Sequence, residues 1–131
     1  MATLTPYIYS SDARKQADFY VKALGGEIVS LRTFADMPGV EESEKNRVMH
    51  VELQLLGLRF FMADSGTNTV ERGHGLDLTL EVKSEEEGRR IFEALSDGGV
   101  VKMPFARMFW GTMFGRLVDP FGVCWQVSTE A

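Results

Sequence analysis

The sequence predicts an α+β fold built from two tandem β-α-β-β-β modules, spanning about residues 1–66 and 67–131. Three observations predict it. Strand-like segments of period two are interrupted twice by a segment of helical period. Both helical segments close in the same way: an aromatic residue beside an aliphatic one, then Leu, then Gly-Gly, then a Val/Ile strand, as in "FYVKALGGEIV" and "IFEALSDGGVV". The order of elements then repeats, which points to a duplicated fold rather than a solenoid. Such a fold is expected to form a curved mixed sheet around a cleft, with the helices on its outer face.

The first strand is read from "LTPYIYS", with Leu4, Pro6 and Ile8 on one side and Thr3, Thr5, Tyr7 and Tyr9 on the other. Pro6 lacks a backbone donor, so it belongs at an edge or unpaired position. Ser10 or Ser11 is placed to cap the following helix, where Ala13, Ala17, Tyr20, Val21 and Leu24 recur at helical spacing and Gly25-Gly26 stop it. "EIVSLRTF" reads as a strand, and the Pro38-Gly39 segment after it as a mobile loop. "NRVMHVELQLLGLRFFMAD" reads as two strands joined at Gly57.

A second loop of turn formers, "SGTNTVERGHG", leads to the alternating strand "LDLTLEV". The next helix opens with Ser84 and, three residues on, Glu87, a capping-box spacing with acidic residues suited to the helix dipole. After Gly98-Gly99 come the strands "VVKMPF", "GTMFGRLVD" and "GVCWQVST".

Alternation divides each strand into two faces. Met49, Val51, Leu53 and Leu55 oppose Val48, His50, Glu52 and Gln54; Leu76, Leu78, Leu80 and Val82 oppose Asp77, Thr79 and Glu81; Val123, Trp125 and Val127 oppose Cys124, Gln126 and Ser128. The apolar faces call for cover by the helices. The polar ones face solvent or line a cleft, and the aromatic and glycine-rich run before the last strand favours the cleft.

Composition narrows the function classes. A chain of 131 residues with 44% hydrophobic residues buries a core without disulfides. Its single cysteine, Cys124, sits between Val123 and Trp125 and reads as a small core residue. With 14 basic and 19 acidic residues, the net charge of −5 speaks against general nucleic-acid binding. No apolar run approaches the ~20 residues of a membrane span. The opening "MATLTPYIYS" has no leader-like pattern, and a cytoplasmic protein is expected. Phosphate loops, dinucleotide fingerprints and nucleophile elbows are absent from the sequence.

The duplicated order, "DARKQADFYVKALGGEI" and "FWGTMFGRLVDPFGVCWQV" together resemble the vicinal oxygen chelate superfamily of glyoxalase I, bleomycin-resistance proteins and extradiol dioxygenases. Phe109-Trp110-Gly111, Phe114-Gly115 and Asp119-Pro120-Phe121-Gly122 followed by Trp125 resemble its PhnB-like branch, sometimes labelled demethylubiquinone methyltransferase-like. The resemblance implies a turn at residues 119–122 and strand bending at Gly111 and Gly115. It makes Phe109, Trp110 and Phe114 wall material, with core packing the plainer role for Phe114.

Members with metal chemistry carry ligands on four inner strand positions, which the resemblance maps onto Thr5, His50, Asp77 and Gln126. Only His50 and Asp77 are good transition-metal ligands; Gln126 is a weak neutral donor and Thr5 is rarely one. The expected ligand-binding residues are Thr5, Tyr7, His50, Glu52, Asp77, Phe109, Trp110, Arg116 and Gln126. In that set His50 pairs with Asp77, or with Glu52 for proton transfer, and Arg116 holds an anionic group or is a plain surface charge. Replacing Gln126 by Glu is expected to raise metal affinity.

Two functions follow from the resemblance. One is a small-molecule binding protein with a degenerate metal site and no tightly bound metal. The other is a lyase, isomerase or dioxygenase using a divalent metal at His50, Asp77 and Gln126. A third class is a domain for dimer or partner contacts. A small-molecule ligand and a homodimer are the expected partners, with neither nucleic acid nor membrane.

Overall fold

The computed structural model describes residues 1–66 and 70–130, and the chain divides into two compact units, Met1–Val70 and Glu71–Ala131. The first contains β1 (Tyr7–Ser10), α1 (Ala13–Leu24), β2 (Gly26–Thr33), β3 (Val48–Leu55) and β4 (Leu58–Asp64). The second contains β5 (Leu78–Val82), α2 (Glu85–Ser96), β6 (Val100–Arg107), β7 (Met113–Val118) and β8 (Cys124–Thr129). Each unit is one four-stranded mixed sheet, in the order β1-β4-β3-β2 and β5-β8-β7-β6. In both, the first strand runs parallel to the last and the remaining pairs are antiparallel. The repeat read from the sequence is therefore a repeat of topology.

The helices cover one face of each sheet. Tyr20 and Leu24 of α1 are buried with Val51, Leu53, Leu55 and Met62; Ile91 and Leu95 of α2 are buried with Leu117, Trp125 and Val127. Each such side chain contributes on the order of 1.5–3 kcal/mol on leaving water.

The two modules also close their open corners alike. Asp64 at the end of β4 accepts hydrogen bonds from the backbone N–H of Val48 (2.7 Å) and of Ala13 (2.8 Å). Thr129 at the end of β8 accepts one from the N–H of Met113 (3.0 Å). Both residues sit in the last register pair with the first strand, Ser10 with Asp64 and Val82 with Thr129. A side-chain acceptor there satisfies the first N–H of the third strand, which lies beyond that strand's last register pair with the fourth.

Several sequence expectations shift. The first strand begins at Tyr7, and Leu4 (96% exposed) and Thr5 lie outside it. Pro6 has no N–H to add to the ladder, but its carbonyl accepts from Phe61 (2.9 Å) just before the pairing starts. The cap of α1 is Asp12, whose carboxylate accepts from Lys15 N–H (3.2 Å), because Ser10 is still in β1 with its hydroxyl on Asp12 N–H (3.0 Å). Gln16 replaces Val21 in the buried stripe, and its amide donates to Tyr20 Oη at 2.8 Å. Val48 is buried rather than polar-facing because β3 bulges: Arg32 pairs with His50 and Thr33 with Val48, so Met49 is an extra residue and the alternation resets. The strand read from Leu76 begins at Leu78, and Leu76 is exposed.

The segment read as a loop after β2 contains two 3-10 turns, Phe34–Asp36 and Glu42–Glu44. Ser84 caps α2 as read, accepting from Glu87 N–H at 3.1 Å. Part of the second loop read from the sequence, residues 67–69, lies outside the described residues. No helix among the described residues is long and apolar enough to cross a membrane.

Candidate functional site

Polar and aromatic side chains collect on the sheet face of each module that the helix does not cover. In the first module, register places Tyr7 beside Phe61, Phe61 beside Glu52, and His50 beside Arg32. Tyr7 Oη and His50 Nδ1 lie 3.3 Å apart, with donor and acceptor roles set by the imidazole tautomer. Ring centroids are 5.7 Å apart for Tyr7 and His50, 4.8 Å for His50 and Phe61, and 5.2 Å for Tyr7 and Tyr9. The Arg59 guanidinium lies over Phe61 at 5.1 Å and reaches Thr5 Oγ1 at 3.4 Å. Burial, and next the neighbouring Tyr9, raise the Tyr7 hydroxyl pKa above its ordinary value, so the phenol stays protonated at neutral pH.

In the second module the polar groups close on one another. Arg116 donates to both oxygens of Asp77, from Nε at 2.6 Å and Nη2 at 3.2 Å. Gln126 Nε2 donates to Asp77 Oδ2 at 3.1 Å, and Thr79 Oγ1 lies 3.1 Å from Gln126 Oε1. The amide orientation follows, because a carboxylate only accepts. Adjacent ladders bring these residues together: Gln126 of β8 pairs with Thr79 on one side and Arg116 on the other. The hydrogen bonds from Arg116 hold the Asp77 carboxyl below the usual aspartate range. Partial burial opposes them, and the Gln126 bond and Arg116 charge assist.

Phe109 and Trp110, expected as walls, occupy the tip between β6 and β7. Their rings stand nearly perpendicular at 4.8 Å, with Phe109 97% and Trp110 55% exposed. The tip is held by Met108 N–H on the Thr112 carbonyl (2.9 Å), Trp110 Nε1 on Thr112 Oγ1 (2.7 Å) and Arg107 Nη1 on the Gly111 carbonyl (2.8 Å). Gly111 serves this turn, with φ +101, rather than a strand bend. Phe114, expected as wall material or as core, is half-buried on the polar face opposite Ser128, its ring 6.3 Å from Trp110.

The positions mapped as metal ligands thus have other partners. Thr5 meets Arg59, and His50 meets Tyr7. The Asp77 oxygens face Arg116, and the Gln126 carbonyl faces Thr79. Among the described residues, no three His, Cys, Asp or Glu side chains converge. A carboxylate neutralised in bidentate fashion by a guanidinium, beside a neutral amide, is a poor donor set for a divalent ion.

The sequence reading passed over Phe61, Tyr9 and Arg59 as site residues. Phe60 and Phe61 are adjacent and equally apolar, and only the register shows that Phe60 is core and Phe61 is not. Thr79 was already on the polar face with Asp77, so alternation did carry that signal.

The sequence matches the model of the family described as 3-demethylubiquinone-9 3-methyltransferase over residues 2–128. The structure is similar to that of protein PA1353 from Pseudomonas aeruginosa, with TM-score 0.85, 32% identity, and coverage of 99% of this chain and 98% of that one. It is also similar to the PhnB protein from Bacillus cereus, with TM-score 0.81, 26% identity, and coverage of 98% and 100%. The glyoxylase/bleomycin resistance protein/dioxygenase domain from Frankia sp. EAN1pec, at 13% identity and TM-score 0.72 over 100% and 98% of the chains, shares the fold.

Proposed function

We propose that this chain, which belongs to the family described as 3-demethylubiquinone-9 3-methyltransferase and has the glyoxalase/bleomycin-resistance/dioxygenase fold, is a metal-independent binding protein for a small ring-bearing organic molecule. The observation that carries this reading is the setting of His50. Its Nδ1 is 3.3 Å from a tyrosine hydroxyl and its ring lies among Tyr7 and Phe61. That makes the imidazole part of a ring surface, where flat ligands gain from stacking and edge contacts. The polar rim from Arg59, Arg32 and Glu52 supplies orientation. The methyltransferase wording finds no counterpart in the fold: neither four-stranded mixed sheet is a doubly wound parallel sheet with a glycine-rich phosphate turn.

The test is ligand-observed NMR with a library of aromatic and aliphatic fragments, together with metal analysis of protein purified without chelator. Aromatic fragments should bind preferentially, and Tyr7→Ala or His50→Ala should weaken the best of them about tenfold, the loss of one to two ring contacts. About one equivalent of Zn, Ni, Mn or Fe per chain, lost in His50→Ala, would favour the metal-dependent enzyme instead.

The chain is further proposed to act as a homodimer, a closed arrangement common among small soluble proteins. Support comes from the hydrogen-bonded hairpin tip on which Phe109 and Trp110 are exposed, and from Val100, Val101 and Met103 exposed on the edge strand β6. Light scattering should give about twice the 14.7 kDa chain mass; a monomer at high concentration contradicts it.

A further inference from the structure

We propose that Arg116 is a built-in cation that excludes divalent metal ions from the second module, so that the neutral side chain at position 126 is not the main reason for metal independence. This rests on the metal-independent reading above and names the residue responsible for it.

The geometry has three parts. First, the guanidinium engages both Asp77 oxygens, at 2.6 and 3.2 Å, so an incoming ion has to displace a bidentate charge-assisted pair. Second, the pair is partly shielded, with the Arg116 side chain 33% and the Asp77 side chain 13% exposed, so water screens it incompletely. Third, Arg116 and Gln126 are direct cross-strand partners on β7 and β8. A carboxylate introduced at 126 therefore faces Arg116 across the ladder, at the spacing where opposite charges pair. It would share the guanidinium with Asp77 and leave no net site for a dication.

This proposal leads to the opposite expectation from the one drawn from sequence alone. Gln126→Glu should not gain metal affinity by itself, because it adds a partner for Arg116 and not a free ligand. Removing the cation matters more. With Arg116→Gln and Gln126→Glu combined, two carboxylates remain, one on β8 and one just before β5, with no arginine between them, a hard oxygen pair suited to a divalent ion with waters completing its shell.

Mn2+ alone is the probe, and free Mn2+ is counted by electron paramagnetic resonance in titrations of purified protein. The double variant Arg116→Gln/Gln126→Glu should bind at least tenfold more tightly than wild type or Gln126→Glu. Arg116→Lys/Gln126→Glu, which keeps a cation, should show no such gain. If circular dichroism shows the double variant to be unfolded, Arg116→Met/Gln126→Glu replaces it at the same threshold, since Met keeps an apolar stem against the sheet. The proposal is overturned if Gln126→Glu alone binds as tightly as the folded double variant, or if the folded double variant binds no more tightly than wild type. Stoichiometric metal in wild-type protein would instead defeat the metal-independent reading.

Discussion

The carboxylate of Asp119 accepts the indole N–H of Trp125 at 2.8 Å, and both residues are buried, at 3% and 0% exposure. The other oxygen of Asp119 accepts the backbone N–H of Phe121 (2.8 Å) and of Val123 (3.1 Å). One side chain therefore shapes the turn between β7 and β8 and fixes the largest ring of the second core. Asp-Pro-Phe-Gly and the tryptophan three residues beyond form a single device: Gly122 takes φ +88, and its N–H closes the turn on the Asp119 carbonyl at 3.0 Å.

Asp119→Ala should accordingly be among the most damaging single changes in the second module. It removes the acceptor of three hydrogen bonds, two of them buried and one partly buried, and a buried donor left without its acceptor costs about 1–3 kcal/mol. A loss of about 3 kcal/mol or more is expected from urea unfolding followed by Trp fluorescence. Asp119→Asn keeps an acceptor and should lose less. A cost under about 1 kcal/mol for the alanine variant would mean that the turn holds itself.

Gly115 is required by contact rather than by backbone freedom. A Cβ there would lie 2.7 Å from Cε2 of Phe92 and 2.9 Å from Cα of Phe105. The second of these is backbone and cannot rotate away. Gly115→Ala should destabilise by about 1–3 kcal/mol, the usual cost of overpacking. Gly75→Ala, where nothing lies within 4 Å, is the matched control and should change little. Equal melting temperatures for the two variants would refute the close packing of α2 and β6 on β7.

The contrast between these two residues shows what a sequence makes legible. Turn chemistry is local, so Asp-Pro-Phe-Gly is readable from four letters, and Gly-Gly stops and Ser84 caps are readable in the same way. Gly115 carries no local mark distinguishing a bend from a close approach; that depends on Phe92 and Phe105, distant in the chain. The bulge at Met49 is likewise a property of the pairing of β3 with β2, and it moved Val48 to the core. The candidate site shows the same division. Alternation placed His50, Glu52, Asp77, Thr79 and Gln126 on polar faces, but which polar group meets which depends on how the strands pair and how far each side chain reaches: Asp77 meets Arg116, and His50 meets Tyr7.

The duplicated corner offers a comparison between modules. Asp64 accepts from two backbone donors and Thr129 from one, at matching register positions. Asp64→Ala should cost about 2 kcal/mol or more, and Thr129→Val about 1 kcal/mol, in proportion to the donors left unpaired. Hydrogen exchange provides the local readout: the amides of Ala13 and Val48 should lose protection in the first variant and that of Met113 in the second. Unchanged protection at Val48 in Asp64→Ala would show that the carboxylate does not hold that corner.

The Asp77–Arg116 pair sets a pH dependence whose sign is fixed by the direction of the carboxyl shift. The folded pKa of Asp77 is lowered from its ordinary 3.8, first by the hydrogen bonds from Arg116 and further by that from Gln126. A depressed carboxyl binds its proton less readily in the folded chain than in the unfolded one. Its contribution is therefore fully present above the unfolded value near 3.8 and is lost as pH falls through the lower folded value. Arg116→Gln removes the main cause of the shift, so the stability difference between wild type and variant should be largest near neutral pH and shrink below about pH 4. Thermal melts of both proteins from pH 7 down to pH 3 read this directly. Salt should narrow the gap at neutral pH only in part, because Asp77 is mostly shielded from solvent. A gap that stays constant from pH 7 to pH 3 would mean that Arg116 acts through packing of its stem and not through the Asp77 carboxylate.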